Sequence, residues 1–153
     1  MSPICHRCHD TINVTNMSPC HQISRNQAEM EKETIYGQVI SKANNYQVGN
    51  SGNGNRHIIK SHEMREYERM FVRQCKVYRD KLINCSFTLY VAVYESSVRY
   101  DLDNALKTIL DCLQMVKAIT NDNLCVRIVA EKRIDKNNPR VVFGIEEHEP
   151  RIM

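Results

Sequence analysis

A short acidic motif carries the residue types most capable of chemistry in this chain of 153 residues. Asp101 and Asp103 stand two positions apart, and Lys107 follows at helical spacing. Mg²⁺ needs only one or two protein carboxylates and keeps several waters, and in phosphoryl-transfer enzymes it activates water and neutralises phosphate charge. Asp is also a common helix N-cap, and Asp/Lys pairs at helical spacing usually form a solvated face. The motif therefore predicts either a metal site or an ordinary helix start.

Basic residues are concentrated upstream of this motif. Residues 56–81 contain eight Lys and Arg against four Asp and Glu, a net charge of +4, whereas the whole chain has a formal net charge of +3. A basic segment near an acidic cluster suits a polyanionic substrate that must meet a metal, although a charged helix face has the same composition. By charge and position alone, the candidates for phosphate contacts are Arg56, Lys60, Arg65, Arg69, Arg73, Arg99 and Lys132.

The composition is that of a soluble globular protein with one core, with 42% hydrophobic and 25% charged residues. No apolar run approaches the roughly 20 residues that span a bilayer, and the first residues lack the apolar region of a secretory signal. We therefore expect a cytoplasmic protein with no membrane partner. Seven cysteines spread along such a chain predict reduced thiols rather than a disulfide framework.

The pattern of apolar residues predicts a single α+β domain, with a mixed or antiparallel sheet and two main helices on one side. We expect a flexible appendage over 1–32, a folded domain over 33–147 and a tail over 148–153. The predicted elements are a strand at 33–41, a turn-rich loop at 44–55, a helix at 61–79, a strand at 82–94, a helix at 103–117, and strands at 124–134 and 140–145 joined as an antiparallel hairpin.

The N-terminal appendage contains a second set of candidate ligands. Cys5 and Cys8 form a Cys-x-x-Cys pair, and Cys20 with His21 could complete a four-ligand zinc site. A second Cys-x-x-Cys, which would make a zinc knuckle convincing, is absent from the sequence. A disordered leader without metal is the alternative interpretation.

The residues around the acidic motif follow a longer pattern, made of Arg99–Asn104, Lys107, Leu110–Leu113 and Asn121–Asp122. This pattern resembles that of the RusA-type Holliday junction resolvases, small phage- and prophage-associated endonucleases, and the resemblance covers roughly residues 33–147. It implies a RusA-like fold and a homodimer that cuts four-way DNA in recombination and repair, using Mg²⁺, with Mn²⁺ as a substitute. The catalytic residues that it implies are the metal-binding carboxylates Asp101, Asp103 and Asp122, and the essential lysine Lys107.

The resemblance also assigns supporting roles and leaves other functions open. Asp111 matches a recurrent position that we interpret as structural support, and Asn121 stands where the family has the first acid of an Asp-Asp pair. We expect Lys107 to neutralise charge in the transition state or on the leaving group. Two alternatives use the same fold: a non-catalytic protein that binds branched DNA, and a nuclease that acts on other branched DNA such as flaps or forks.

Overall fold

The computed structural model describes residues 30–42, 45–50, 52–54 and 56–148. Most of the predicted appendage and tail, and all four candidate zinc ligands (Cys5, Cys8, Cys20 and His21), lie outside the described residues. The elements are β1 (Glu33–Tyr36), β2 (Tyr46–Asn50), β3 (Arg56–Lys60), α1 (His62–Gln74), β4 (Phe87–Glu95), α2 (Leu102–Met115), a short 3-10 turn (Asp122–Leu124), β5 (Cys125–Ile134) and β6 (Arg140–Glu147). The described residues form a single α+β domain with a mixed sheet, as predicted.

The main sheet has the strand order β1-β6-β4-β5. β6 pairs antiparallel with both β1 and β4, whereas β4 and β5 are parallel. The predicted β5–β6 hairpin is therefore wrong, because β6 lies on the far side of β4. Val141, Phe143 and Ile145 of β6 are buried, which suits a central strand, while most of β5 is exposed at the sheet edge. Parallel neighbours need a crossover connection, and α2 provides it between β4 and β5.

One face of β4 forms the centre of the hydrophobic core. Alternate residues of this strand point towards the two helices, because successive side chains of a strand lie on opposite faces. The apolar stripe of α1 and that of α2 belong to the same buried cluster, as their spacing predicted. The principal core residues are Tyr67, Phe71, Phe87, Leu89, Val91, Val93, Ile109, Leu113 and Phe143.

Helix α1 ends five residues earlier than predicted. Its N-cap is Ser61, as expected, but its last helical residue is Gln74. The buried carboxylate of Glu33 accepts hydrogen bonds from the backbone N–H groups of Lys76, Val77 and Tyr78. The chain therefore leaves the helix because an acceptor from β1 replaces the helical carbonyls.

This arrangement predicts a large stability effect for Glu33→Gln. The amide keeps one acceptor oxygen but loses the charge that three backbone donors share, so we expect a loss of about 2 kcal/mol in the free energy of unfolding. Urea denaturation at neutral pH measures it. The matched control is Glu31→Gln, which removes an exposed ion pair to Lys81 and should change stability by less than about 1 kcal/mol. Equal, small effects would contradict the role of Glu33.

The segment predicted as a loop over 44–55 contains a strand instead. β2 and β3 form a separate antiparallel two-stranded sheet in which Val48 pairs with Ile58. The Asn- and Gly-rich stretch between them suggested a long loop, but Val48, Ile58 and Ile59 are β-branched residues that favour a strand. The turn-rich part is thus the tip of a hairpin.

Candidate active site

The two carboxylates of the acidic motif lie at the start of α2. Asp101 is the N-cap residue and has an extended backbone, yet its side chain makes no capping hydrogen bond. By contrast, the N-cap Ser61 of α1 accepts a bond from a helix N–H. Asp101 and Asp103 are exposed, and neither carboxylate has a hydrogen bond or ion pair within the described residues. The carboxylate oxygens of both residues are therefore available to a cation. Helix capping does not explain why an aspartate stands at position 101.

A lysine from the sheet fixes the turn that precedes Asp101. The Nζ of Lys132 on β5 donates to the backbone oxygens of Val98 at 2.9 Å and Tyr100 at 2.5 Å. Lys132 lies beside Val93 of β4 in the parallel register, so its side chain reaches beyond the end of β4. Lys132 was predicted from the sequence to contact a DNA phosphate. In the structure its ammonium group holds the backbone next to the acidic motif.

A second clamp holds the beginning of the same segment. The side chain of Gln38 donates to the carboxylate of Glu95 and accepts a bond from the N–H of Ser96 at 3.0 Å. Glu95 is the last residue of β4 and is buried. Burial raises the pKa of Glu95, while the bond from Gln38 and the charge of Lys132 act in the opposite direction. The sequence analysis did not predict the contact between Gln38 and Glu95. A signal was present, because Glu95 is a charged residue at a position where the alternation of β4 predicts a buried apolar one.

The next turns of α2 present a lysine that has no ion pair within the described residues and an aspartate that has one. Lys107 is exposed and lies one helical turn beyond Asp103, on the same side of the helix. Asp111 forms an ion pair with Lys42, and the hydroxyl of Thr108 donates to the backbone oxygen of Ile40 at 2.7 Å. These contacts attach the segment after β1 to α2, which fits the supporting role expected for Asp111.

Asp122 lies at the opposite end of α2 from the Asp101–Asp103 pair. It opens the 3-10 turn before β5, and β5 begins beside Phe87, the first residue of β4. Asp101 instead follows the end of β4. A helix of 14 residues is about 21 Å long, so a separation on the order of 20 Å divides the two sets of carboxylates. Accordingly, no group of three metal-ligating side chains occurs within the described part of the chain.

Asn121 has a structural contact at this second end. Its side-chain oxygen accepts a hydrogen bond from the backbone N–H of Asn123 at 3.2 Å, which caps the 3-10 turn. The residue that replaces the expected acid therefore helps to present the exposed side chain of Asp122.

Comparison of the sequence with models of known protein families identifies the family of this chain. The sequence model of the family described as "Endodeoxyribonuclease RusA" matches residues 37–146. The chain belongs to the RusA family. The matched range includes both ends of α2, with Asp101, Asp103, Lys107 and Asp122, and it confirms the resemblance drawn from the motif. No curated protein matches the chain.

The basic residues predicted to contact DNA fall into separate places on this RusA-family fold. Arg99 adjoins the acidic motif, and Arg56 lies on the β2–β3 hairpin, both exposed. An open cleft of about 420 Å³ is lined by three arginines of α1 and by Met115. Because Met115 is the last residue of α2, this cleft is at the Asp122 end of the helix. Its lining residues are Arg65, Glu68, Arg69, Val72, Arg73 and Met115.

Some of these basic side chains already have partners. Lys60 forms an ion pair with the mostly buried Glu68 at 2.6 Å, and Arg65 donates to the backbone oxygen of Lys60 at 3.0 Å. Arg69 pairs with Glu66 at 2.7 Å in an exposed position, where such pairs are weak and exchange readily for other anions. Arg73 has no ion pair within the described residues, which leaves it the most available of the three.

The cysteines of the described residues are free thiols. Cys75, Cys85, Cys112 and Cys125 form no disulfide, as the sequence predicted for these four. Burial raises the pKa of Cys75 and that of Cys112 to about 12, so both thiols stay protonated at neutral pH. Among the described helices, none is long and apolar enough to cross a membrane.

Proposed function

We propose that this protein is a divalent-cation-dependent endodeoxyribonuclease that resolves four-way DNA junctions as a homodimer. The observation that carries the proposal is the pair of exposed carboxylates of Asp101 and Asp103, which have no partner within the described residues. The segment that precedes them is held in place by two side chains from elsewhere in the fold. A capping role would engage the oxygens of Asp101, whereas a role in binding a cation requires them free. Membership in a family of endodeoxyribonucleases supports DNA as the substrate of this site.

The donor set suits a hard cation. Mg²⁺ takes carboxylate oxygens in small number together with waters, and Asp101 and Asp103 offer such oxygens at a helix N-terminus open to solvent. Mn²⁺ accepts the same ligands. Bound there, the cation would supply an activated water and offset charge on the scissile phosphate. The residues that would hold it are Asp101 and Asp103, with Asp122 as the third carboxylate.

The distance to Asp122 supports a site shared between two copies. Carboxylates on one Mg²⁺ each approach it to about 2.1 Å, which a separation on the order of 20 Å along α2 does not permit. β5 is an edge strand with exposed apolar residues such as Val126 and Ile128, and an edge strand is a template for pairing with another chain. An antiparallel β5–β5 contact about a two-fold axis would bring Asp122 of the partner subunit towards Asp101 and Asp103.

The remaining candidate residues would position the DNA or stabilise the transition state. Lys107, one turn from Asp103, would neutralise charge that develops at the phosphate in the transition state. Arg99 would contact a phosphate beside the site, while Arg56, Arg65, Arg69 and Arg73 would contact the arms of the junction. Such contacts orient DNA without reading its sequence and make binding depend on salt.

We assign Lys132 to positioning, and this assignment predicts a distinct kinetic signature for Lys132→Met. Without its bonds to Val98 and Tyr100 the turn before Asp101 loosens, and misplacement of about 1 Å can cost about 100-fold in rate. We expect slower single-turnover cleavage with junction affinity and its salt dependence unchanged.

The matched control for Lys132 is Lys136→Met, which removes an exposed cation in the turn after β5 and should leave the cleavage rate unchanged. If Lys132 contacts a phosphate instead, Lys132→Met will weaken binding to all DNA and lower the slope of log affinity against log salt by about 1. That pattern would overturn the positioning role.

The function itself is tested with a panel of synthetic DNA substrates. Wild-type protein with Mg²⁺ is incubated with a four-way junction, a flap, a fork and a linear duplex, and cleavage is mapped on each strand. We expect the four-way junction to be cut at symmetric positions in opposing strands. Preferential cleavage of flaps or forks would identify a different nuclease with the same site, and binding without cleavage would identify a non-catalytic protein.

A further inference from the structure

The β2–β3 hairpin exposes apolar side chains that the described core does not use. The cross-strand pair Val48 and Ile58 is 67% and 76% exposed, and Ile58 is the most exposed large hydrophobic residue of the described chain. On the other face of the ribbon, the side chain of Ile59 lies across Gly49, so that a Cβ at this position would collide with it. The Val48–Ile58 face is the more open of the two, because Ile59 on the other face is 44% exposed.

The charge of the hairpin is of one sign. No Asp or Glu occurs between Glu33 and Glu63 in the sequence. Arg56 and His57 are exposed at the beginning of β3, and neither side chain has a partner within the described residues. An acid-free, cationic ribbon is complementary to the phosphate backbone of DNA.

The base of the hairpin is anchored to the domain. The N–H of Ser61 donates to the backbone oxygen of Asn45 at 2.7 Å, and the side chain of Asn45 donates to the backbone oxygen of Ser41 at 2.7 Å. Lys60 also ties the end of β3 to α1 through Glu68. The base of the hairpin is thus held by the domain, and the exposed pair Val48 and Ile58 lies nearer to its tip.

We propose that Val48 and Ile58 form a wedge that contacts unstacked bases at the branch point of a DNA junction, while Arg56 and His57 contact the flanking phosphates. Two-stranded ribbons fit DNA grooves, and apolar side chains inserted between base steps unstack them and bend the duplex. The exposed pair supplies the apolar contact, and the lack of acids in the surrounding sequence favours DNA over a cationic protein surface. The proposal rests on the proposed function, because it takes branched DNA as the substrate.

The test uses Val48→Thr/Ile58→Thr, which keeps β-branched side chains and so the strand propensity. A four-way junction carries 2-aminopurine at the branch point, and its fluorescence is measured with saturating protein in EDTA, so that unstacking is seen without cleavage. We expect wild type to increase the fluorescence and the double variant to lose most of that increase, with about tenfold weaker junction binding. Affinity for linear duplex should not change.

The matched control is Val77→Thr/Leu82→Asn, which alters two exposed apolar residues elsewhere and should behave as wild type. Asn is used at Leu82 because this residue has a positive φ of 51°, which Asn tolerates and a β-branched residue does not. Arg56→Ala should weaken binding to junction and duplex equally and reduce the salt slope by about 1. A double variant that unstacks and binds the junction as wild type does overturns the wedge, and so does a change of oligomeric state, which would make the ribbon a subunit contact. Cleavage by wild type in Mg²⁺ is scored separately, so failure of the nuclease function and failure of the wedge are distinguishable.

Discussion

Asp103→Asn is expected to abolish cleavage of a four-way junction in Mg²⁺ while leaving junction binding intact. The substitution removes one charged oxygen ligand but keeps the shape of the side chain. A bound cation stabilises charge in the transition state by several kcal/mol, and each 1.36 kcal/mol is a factor of ten in rate. We therefore expect a loss of about 10³-fold in single-turnover rate. Because Asp103 is exposed and its carboxylate has no ion pair within the described residues, stability should change by less than about 1 kcal/mol.

The matched control for Asp103→Asn is Asp80→Asn. Asp80 is exposed and has a positive φ of 59°, a conformation that Asn adopts as readily as Asp, so only a distant charge is lost. Cleavage and binding are measured on the same junction for both variants. A wild-type rate for Asp103→Asn, or an equal loss for Asp80→Asn, would exclude the carboxylate of Asp103 from the site.

A mixture of two inactive variants is expected to regain cleavage. Asp103→Asn and Asp122→Asn homodimers each lack one carboxylate in both sites. If Asp122 acts in the site of the partner subunit, a mixed dimer has one site without either acid and one site with all of them. Random exchange then leaves about a quarter of the sites intact, and the product should be a junction nicked in one strand.

The control for this complementation is a mixture of Asp101→Asn and Asp103→Asn. These two residues lie on the same turn, so every site of a mixed dimer lacks one of them and the mixture should stay inactive. Native mass spectrometry of size-tagged variants verifies that subunits exchange. Exchange without recovery in the Asp103→Asn and Asp122→Asn mixture would contradict the shared site.

Local patterns in the sequence predicted the elements that carry the site. The apolar periodicity of α2 and the Asp101–Asp103 spacing are set within a few residues, and the structure places that helix within two residues of the expected bounds. The class of the fold was equally accessible. The end of β4 was predicted to within one residue, but the strand begins at Phe87, five residues later than expected. The free state of Asp101 was not accessible, because an aspartate before a helix usually caps it.

The features that were predicted wrongly or missed all depend on contacts between residues that are far apart in the sequence. Helix α1 ends where Glu33, more than 40 positions earlier, accepts its backbone donors. The order of β5 and β6 is decided by which strand buries more apolar surface at the centre of the sheet. The hydrogen bonds from Lys132 to the segment before α2 span at least 32 positions, and those of Gln38 span at least 57. The local pattern of apolar and polar residues contains no information about such contacts.

The most direct test of the account is cleavage of one synthetic four-way junction by the wild-type protein, with Mg²⁺ and with EDTA. Each of the four strands carries a label at its 5′ end in a separate reaction, and the products are separated at nucleotide resolution. We predict symmetric cuts in two opposing strands that require the cation, and no cuts in a linear duplex of the same sequence. Stable junction binding with no cleavage in Mg²⁺ or Mn²⁺ would contradict the nuclease function proposed for Asp101 and Asp103.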